Sequence, residues 1–149
     1  MIKDSGNRRE FSSGAVRDIQ EGKGRCDLLP LDIIGEVLGD AVIACIAEYQ
    51  VDGDIMHLKK AIDTFGRLNS CTAPQMLLEV SKHFEDGAKK YGEHNWEKGI
   101  PENCYIDSGI RHYLKWLNKE TDEPHDRAFV WNMLCLMWTH NHITRFADE

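Results

Sequence analysis

Residues 31–50, LDIIGEVLGDAVIACIAEYQ, set the expected fold class of this chain of 149 residues. Apolar side chains recur three or four positions apart through the stretch, from Ile33 to Tyr49. This spacing places them on one face of an α-helix, whereas a strand exposed on one side would alternate at every second residue. Pro30 suits the entry to such a helix because it lacks a backbone N–H. The stretch therefore predicts one helix from residue 31 to about residue 50.

Four further stretches repeat this spacing and predict helices over about residues 55–66, 74–91, 107–118 and 122–138. Glycines suit the ends of two of them, and Asp107 suits the start of the fourth. Because no convincing alternating strand is present, we predict an all-α fold, a single-domain helical bundle of about five helices. Residues 1–30, with their glycines and serines, are expected to form an irregular N-terminal arm or lid, and residues 31–149 the helical domain.

Composition and charge narrow the class of protein. The 25 acidic residues against 18 basic ones give a net charge of -7, which argues against binding duplex nucleic acid through a basic face. The sequence lacks an apolar run of about 18 residues, so no membrane partner is expected. The five cysteines contain no C-x-x-C pair and indicate free thiols in a reducing cytoplasm. We therefore expect a cytoplasmic protein that acts on a small molecule.

The segment AFVWNMLCLMW, residues 128–138, is apolar around most of its circumference. A single domain of this size is expected to cover only part of such a helix, so the segment predicts a homo-oligomer. Asn132 interrupts the segment, and a buried amide must form hydrogen bonds. It lies two turns after His125, so the two side chains would share a face and line a pocket. The alternative is a structural polar link between helices.

The N-terminal arm is locally basic, with six basic and four acidic residues up to Arg25. Lys23 and Arg25 alternate there with Gly22 and Gly24, which would let the backbone approach an anion closely. The segment lacks the phosphate-loop pattern G-x-x-x-x-G-K-[ST]. We expect residues 14–30 to close over an anionic ligand, and the alternative is a tether or subunit contact.

Polar residues on three predicted helices could form a site for a metal ion and phosphates. On the third helix, Glu79, His83, Asp86 and Lys90 form one stripe, beside Glu85 on another, although a solvated surface explains them equally well. A hard cation needs carboxylates from at least two helices, and the start of the last helix would supply the others.

Two further groups complete this pattern. Asp122 and Asp126 frame His125 at the start of the last helix, where Asp122 could instead be an N-cap. Arg111, His112 and Lys115 offer three donors that suit a triphosphate, unless Asp107 simply pairs with Arg111.

A loop before the fourth helix carries Asn95 and Trp96. These side chains could hydrogen-bond and stack on a base, whereas a lone loop tryptophan is more often a hydrophobic plug.

Taken together, the motifs resemble the phage dATP/dGTP diphosphohydrolases of the MazZ type, which are related to the MazG-like all-α nucleoside triphosphate pyrophosphatases. The resemblance rests on four segments: GAVRDIQEGKGRCDLLP (14–30), HFEDGAKKYGEHNWEKGIP (83–101), YIDSGIRHYLKWL (105–117) and DEPHDRAFVWNMLCL (122–136). It implies hydrolysis of purine deoxynucleoside triphosphates to the monophosphate and pyrophosphate, with Mg²⁺ or Mn²⁺ held by carboxylates. It also implies a role in phage nucleotide metabolism in the cytoplasm of the bacterial host.

With this resemblance, the candidate residues receive expected roles. The metal ligands would be Glu79, Glu85 and Asp122, with Asp126 in reserve; His125, together with Glu79, Glu85 and Asp122, forms the catalytic set. The substrate-binding set would contain Lys23, Arg25, Lys90, Arg111, His112 and Lys115 for the phosphates, and Asn95, Trp96 and Asn132 for the nucleoside. Metal at the phosphates would neutralise charge and activate water.

Two other functions fit the same sequence. One is a nucleotide sensor that binds without turnover, and the other is a helical phage interaction protein whose last helix forms an oligomer interface. Pyrophosphate release from the four deoxynucleoside triphosphates would separate the three possibilities, because only the enzyme turns substrate over.

Overall fold

The computed structural model describes residues 4–143, which are mostly helical. The helices are α1 (Leu31–Glu36), α2 (Ala41–Asp52), α3 (Ile55–Leu68), α4 (Ala73–Tyr91), α5 (Glu102–Leu117) and α6 (His125–His142). Two short antiparallel strands, β1 (Arg8–Glu10) and β2 (Val16–Asp18), precede them, and 3₁₀ turns occupy Cys26–Leu28 and Asn95–Lys98. The all-α prediction is confirmed. Residues 144–149 of the predicted helical domain lie outside the described residues.

The stretch 31–50 forms two helices, so the prediction of one continuous helix was wrong. Gly39 has a φ of +78°, and the Asp40 side chain accepts the Ile43 N–H at 2.9 Å as the N-cap of α2. Gly35 packs so closely on α2 that a Cβ there would lie 2.5 Å from the Cα of Ala44. The chain thus folds back on itself after α1, and six helices result instead of five.

The other helix bounds differ from the expected ones at three ends. Helix α3 passes through Gly66 and ends at Leu68, so Gly66 is not its cap. Helix α5 begins directly after Pro101, which places Asp107 inside the helix and not at its start. Helix α6 begins at His125 without a side-chain cap, and Asp122 instead bonds the imidazole of His125. Gly92 does end α4, with its N–H on the carbonyl of Ala88.

The centre of the core lies between α5 and α6, with α3 and α4 packed around them. Phe65 of α3 contacts Tyr113 of α5 and Phe129 of α6, with ring centroids 6.1 and 4.9 Å apart. Tyr105 and Met133 are fully buried nearby. This core fixes the position of α5 relative to α6, and both helices carry candidate site residues.

Helix α6 is largely covered by its own chain. Its buried residues include Phe129, Met133 and Leu136, so the apolar circumference that predicted an oligomer is mostly buried within one copy. Exposed large apolar side chains lie elsewhere, for example Val37 and Leu38 after α1. Within residues 4–143 no helix combines the length and apolar character needed to cross a membrane.

The N-terminal arm contains a hairpin that sequence periodicity did not reveal, because each strand has only three residues. Arg9 pairs with Arg17 in its register. Phe11 and Ala15, between the strands, are buried in the main core. Ser13 Oγ donates to the carbonyl of Gly99 at 2.6 Å. The hairpin is therefore docked on the helical bundle.

Candidate active site

A cavity of about 840 Å³ lies between the N-terminal arm and helices α4, α5 and α6. The arm lines it from Asp4 to Arg25, α4 from His83 to Tyr91, α5 with residues that include Asp107 and His112, and α6 with Trp131 and Asn132. Pockets that hold nucleotide-sized ligands have about this volume. The cavity brings together residues that are more than 100 positions apart in the sequence.

The charged side chains around the cavity are predominantly basic. Six cationic residues line it against four carboxylates, although the chain as a whole is acidic. The cations are Arg9, Arg17, Lys23, Arg25, Arg111 and Lys115, and the carboxylates are Asp4, Asp18, Asp107 and Glu123. A local excess of positive charge attracts a polyanion such as a triphosphate.

Asp107 and Arg111 attach the arm to α5. Arg111 Nη2 donates to both oxygens of Asp107 at 2.6 Å and to the carbonyl of Gly24 at 2.7 Å. The same carboxylate accepts the backbone N–H of Cys26 at 2.6 Å. The pairing of Asp107 with Arg111, stated above as an alternative, is therefore present. Arg111 thus uses some of its N–H donors to hold the arm at the edge of the cavity.

Lys23 and Arg25 line the cavity, as the sequence indicated, and each already has an acidic partner. Lys23 Nζ lies 2.8 Å from Asp18, and Arg25 Nη2 lies 2.7 Å from Asp27. Gly24, between them, has a φ of +87°, a conformation that other residues rarely adopt. Both cations are more than one-third exposed, whereas Asp18 and Asp27 are 14% and 6% exposed, so a phosphate could bind the exposed side of each cation while its ion pair stays intact.

Three residues of the cavity wall each carry a buried nitrogen that has no hydrogen-bond partner within residues 4–143: Arg17 Nη1, His83 Nδ1 and Trp131 Nε1. Burial lowers the pKa of His83 to about 3, so its ring is neutral near pH 7. An unsatisfied buried polar group costs about 1–3 kcal/mol, and such groups are rare unless a ligand or water completes them. All three atoms have almost no accessible surface, so a ligand in the cavity would reach them only after a side-chain movement.

Arg17 lies at the meeting point of the arm, α5 and α6. Its guanidinium carbon is 5.3 Å from the ring centroid of Tyr105 and 5.8 Å from that of Trp131. Its Nη2 donates to Asn132 Oδ1 at 3.4 Å, and Asn132 Nδ2 donates to the carbonyl of Ala128 at 2.8 Å. Asn132 thus lines the cavity, as expected, and holds Arg17 in place.

Asn95 and Trp96 also line the cavity. The Asn95 amide forms two hydrogen bonds of 2.8 Å with the backbone of Val16, so it holds β2. Trp96 packs edge-on against Phe84 and Trp138, with centroids 5.5 and 5.0 Å apart. It forms part of an aromatic wall along one side of the cavity.

The predicted metal ligands do not come together around the cavity. Glu79 pairs with Lys82 at 2.6 Å, which lowers the pKa of Glu79, and Glu85 lies 4.0 Å from Lys89; both acids belong to the outer surface of α4. Neither these two nor Asp122, Asp126 and Lys90 line the cavity. Their roles in metal and substrate binding stay predictions.

In the described part of the chain, one group of three or more potential metal ligands has its ligand atoms within 4.8 Å of one another, and it consists of His112, Glu123 and His125. His112 and Glu123 line the cavity, whereas His125 is 2% exposed behind them. Burial and the neighbouring His125 hold the pKa of His112 well below its usual range. His112 and His125 were predicted site residues, and the structure adds Glu123.

Sequence reasoning missed Arg17, Trp131 and Glu123 as site residues and gave His83 only a place on a polar stripe. For His83 a signal was available, because it lies between the apolar positions Val80 and Phe84 on the buried face of α4. Arg17 lies in an arm without periodicity, so the sequence offered no local indication of its burial.

Comparison with known proteins identifies the family of this chain. The chain matches the family described as dATP/dGTP diphosphohydrolase, N-terminal, over residues 57–149. No curated protein and no solved structure matches the chain. The matched range contains most of α3 and all of α4 to α6, and helices α4 to α6 carry most of the cavity wall outside the arm. Because the match covers more than half of the chain, the resemblance found in the sequence is confirmed, and the chain is an enzyme that belongs to the dATP/dGTP diphosphohydrolase family.

Proposed function

We propose that this chain hydrolyses dATP and dGTP to the monophosphate and pyrophosphate in the cavity between the arm and helices α4 to α6. The observation that carries the proposal is the excess of cationic side chains on the wall of this cavity, six against four carboxylates. The cavity is also nucleotide-sized. The phosphates of a nucleotide would neutralise this charge and accept hydrogen bonds from these side chains.

The distribution of side chains suggests how the substrate lies. Lys23, Arg25 and Arg111 gather on the arm and α5, where phosphate oxygens would accept their hydrogen bonds. Trp96 and Trp131 form the aromatic side of the cavity, which suits a purine ring. Arg17 stands against this aromatic side with one unpartnered nitrogen, so its role would be to hold the substrate between the two ends.

We also propose that the substrate binds as its complex with Mg²⁺ or Mn²⁺. Such an ion neutralises phosphate charge and commonly uses substrate oxygens together with one or two carboxylates. The predicted ligands Glu79, Glu85, Asp122 and Asp126 do not fit a site in this cavity. They are separate from its wall, and two of them already pair with lysines.

The protein's own contribution to hydrolysis would be positioning and electrostatic stabilisation. Cationic side chains around the triphosphate would stabilise charge on the leaving pyrophosphate. The docked arm would cover the substrate and exclude bulk water, because Phe11 and Ala15 anchor it in the core.

An assay of pyrophosphate release tests the proposal. The full-length protein is incubated with dATP, dGTP, dCTP or dTTP, with Mg²⁺, with Mn²⁺ and with a chelator. We expect turnover of dATP and dGTP, and we expect the chelator to abolish this turnover. Binding without turnover would instead identify a sensor, and neither binding nor turnover would favour an interaction protein.

We place this reaction in nucleotide metabolism of a phage, in the cytoplasm of its bacterial host, on the basis of the motif resemblance alone. We also propose a homo-oligomer. Its support is the exposed apolar group of Ile33, Val37 and Leu38 at the turn between α1 and α2, which a second copy could cover.

A further inference from the structure

The α5–α6 connection brings two imidazoles and a carboxylate to the edge of the cavity. His112 lies on α5, and Glu123 and His125 lie at the entrance to α6. Nδ1 of His112 is 2.9 Å from Nδ1 of His125, and the ring centroids are 5.2 Å apart. All three ligand atoms lie within 4.8 Å of one another.

We propose that His112, Glu123 and His125 bind one divalent transition-metal ion of the Zn²⁺ class. The proposal rests on the geometry of these three residues and not on the nucleotide chemistry proposed above. It also differs from the all-carboxylate site that the sequence resemblance implied.

The separation of the two imidazole nitrogens fits a shared ion. Nitrogen ligands lie about 2.0–2.1 Å from Zn²⁺, so two of them in a tetrahedral site are about 3.3 Å apart. The observed 2.9 Å therefore needs to increase by only a few tenths of an ångström. Small rotations of the His112 ring, which faces the cavity, would provide this increase.

Asp122 orients His125 for this role. Its Oδ1 lies 2.7 Å from Nε2 of His125, and since a carboxylate can only accept, Nε2 is the donor. In the neutral ring, this leaves the lone pair on Nδ1, which accepts the Nδ1–H of His112 in this structure. A metal ion would replace that proton, which would move to Nε2 of His112 or be released to solvent. A carboxylate behind a metal-bound histidine is the usual arrangement in protein metal sites. The structure thus gives Asp122 a positioning role.

The donor set selects the class of ion and leaves room for a ligand. Imidazole nitrogens suit Zn²⁺ and related transition metals, whereas Mg²⁺ prefers oxygen ligands. Two histidines and one glutamate fill three of four tetrahedral positions. Because His112 and Glu123 line the cavity, the fourth position would face it, where a phosphate oxygen or a water molecule can reach.

Isothermal titration of untagged, chelator-treated full-length protein with ZnCl₂, without nucleotide, tests the site. We expect one ion per chain in the wild type and at least tenfold weaker binding in His112→Asn and Glu123→Gln. Asp122→Asn should weaken binding about 10–100-fold, as loss of such an orienting partner does. His142→Asn is the matched control, because His142 is an exposed histidine on the same helix and outside the group.

A measurement on the wild-type protein does not depend on the folding of any variant. In nitrogen-detected histidine spectra, one equivalent of Zn²⁺ should shift the ring nitrogens of two of the seven histidines. The proposal is overturned by absence of binding, by wild-type affinity in both His112→Asn and Glu123→Gln, or by displacement with equimolar Mg²⁺. Zinc binding together with a lack of nucleotide turnover would contradict the proposed function and leave the metal site intact.

Discussion

The side-chain amide of Asn95 forms a reciprocal pair of hydrogen bonds with the backbone of Val16. Val16 N–H donates to Asn95 Oδ1 and Asn95 Nδ2 donates to the Val16 carbonyl, both at 2.8 Å. The amide imitates a neighbouring strand and holds β2 against the loop before α5. Arg17, the next residue, thereby reaches the cavity, so the position of a candidate substrate-binding cation depends on an asparagine 78 residues away.

The first prediction concerns this pair. Asn95→Ala removes both partners of Val16, and we expect the free energy of unfolding to fall by about 1–3 kcal/mol. Because Arg17 loses its support, KM for dATP should rise more than kcat falls. Urea unfolding and steady-state kinetics measure the two effects. The control is Asn118→Ala, whose amide bonds only the exposed Glu120. An unchanged KM in Asn95→Ala would contradict this role of β2.

The second prediction concerns Arg17 itself. Its Nη1 lacks a partner in the described part of the chain, so Arg17→Met removes a donor that we assign to the substrate. A hydrogen bond to a charged group contributes about 1.5–3 kcal/mol, which corresponds to a loss of about 10–150-fold in kcat/KM. Arg17→Lys keeps the positive charge but not the planar guanidinium, so its kcat/KM should lie between those of the wild type and Arg17→Met. Arg67→Met, on the exposed surface of α3 and outside the cavity, should keep wild-type kinetics.

The third prediction separates the two sets of metal ligands. Glu79 is 45% exposed at its side chain and pairs with Lys82, so Glu79→Gln should keep turnover within about twofold. Glu123→Gln changes a carboxylate on the cavity wall and should lower turnover at least tenfold. Pyrophosphate release with saturating Mg²⁺ and one equivalent of Zn²⁺ per chain measures both variants. The reverse result would support the carboxylate ligands on α4 that the sequence indicated.

The fourth prediction is a pH dependence that arises from His83. Its pKa is about 3 in the folded chain because burial disfavours the charged ring, whereas the unfolded chain has the ordinary value of 6.5. Below pH 6.5 the unfolded state therefore binds more protons, and stability decreases as the pH falls. The decrease in the free energy of unfolding caused by His83 should approach about 1.4 kcal/mol per pH unit down to about pH 3.

His83→Gln should remove this part of the slope. Urea unfolding between pH 7 and pH 4 is compared in the wild type, in His83→Gln and in the control His142→Gln, whose side chain is exposed at the end of α6. Parallel curves for the wild type and His83→Gln would show that His83 is not buried as a neutral ring.

The fifth prediction concerns assembly. We expect sedimentation velocity at micromolar concentration to show a species heavier than the 17.1 kDa chain. Val37→Glu should dissociate it, because Val37 belongs to the exposed apolar group after α1. Val51→Glu alters another exposed valine, at the end of α2, and should leave the mass unchanged. A single-chain mass for the wild-type protein would refute the homo-oligomer.

The sequence by itself determined the fold class, most helices and much of the cavity wall. Helices follow from the spacing of apolar residues and from local caps, both of which act within a few positions of one chain segment. For this reason the segments 74–91 and 128–138 were recognised as helices. Of the nine predicted substrate-binding residues the structure places eight around one cavity, all except Lys90, and their binding roles stay predictions: Lys23, Arg25, Asn95, Trp96, Arg111, His112, Lys115 and Asn132.

Only the tertiary structure decided which polar groups meet. The 2.9 Å approach of His112 to His125 depends on how α5 packs against α6. The position of Arg17 depends on its own hydrogen bond to Asn132, 115 residues away, and on the bond of its neighbour Val16 to Asn95, 79 residues away. The spacing of residues along the sequence does not reveal these contacts, because they join segments that are distant in the chain. The break after α1 was missed for the same reason. It accompanies a packing contact between Gly35 and Ala44, and the spacing of apolar residues along one segment does not predict such a contact.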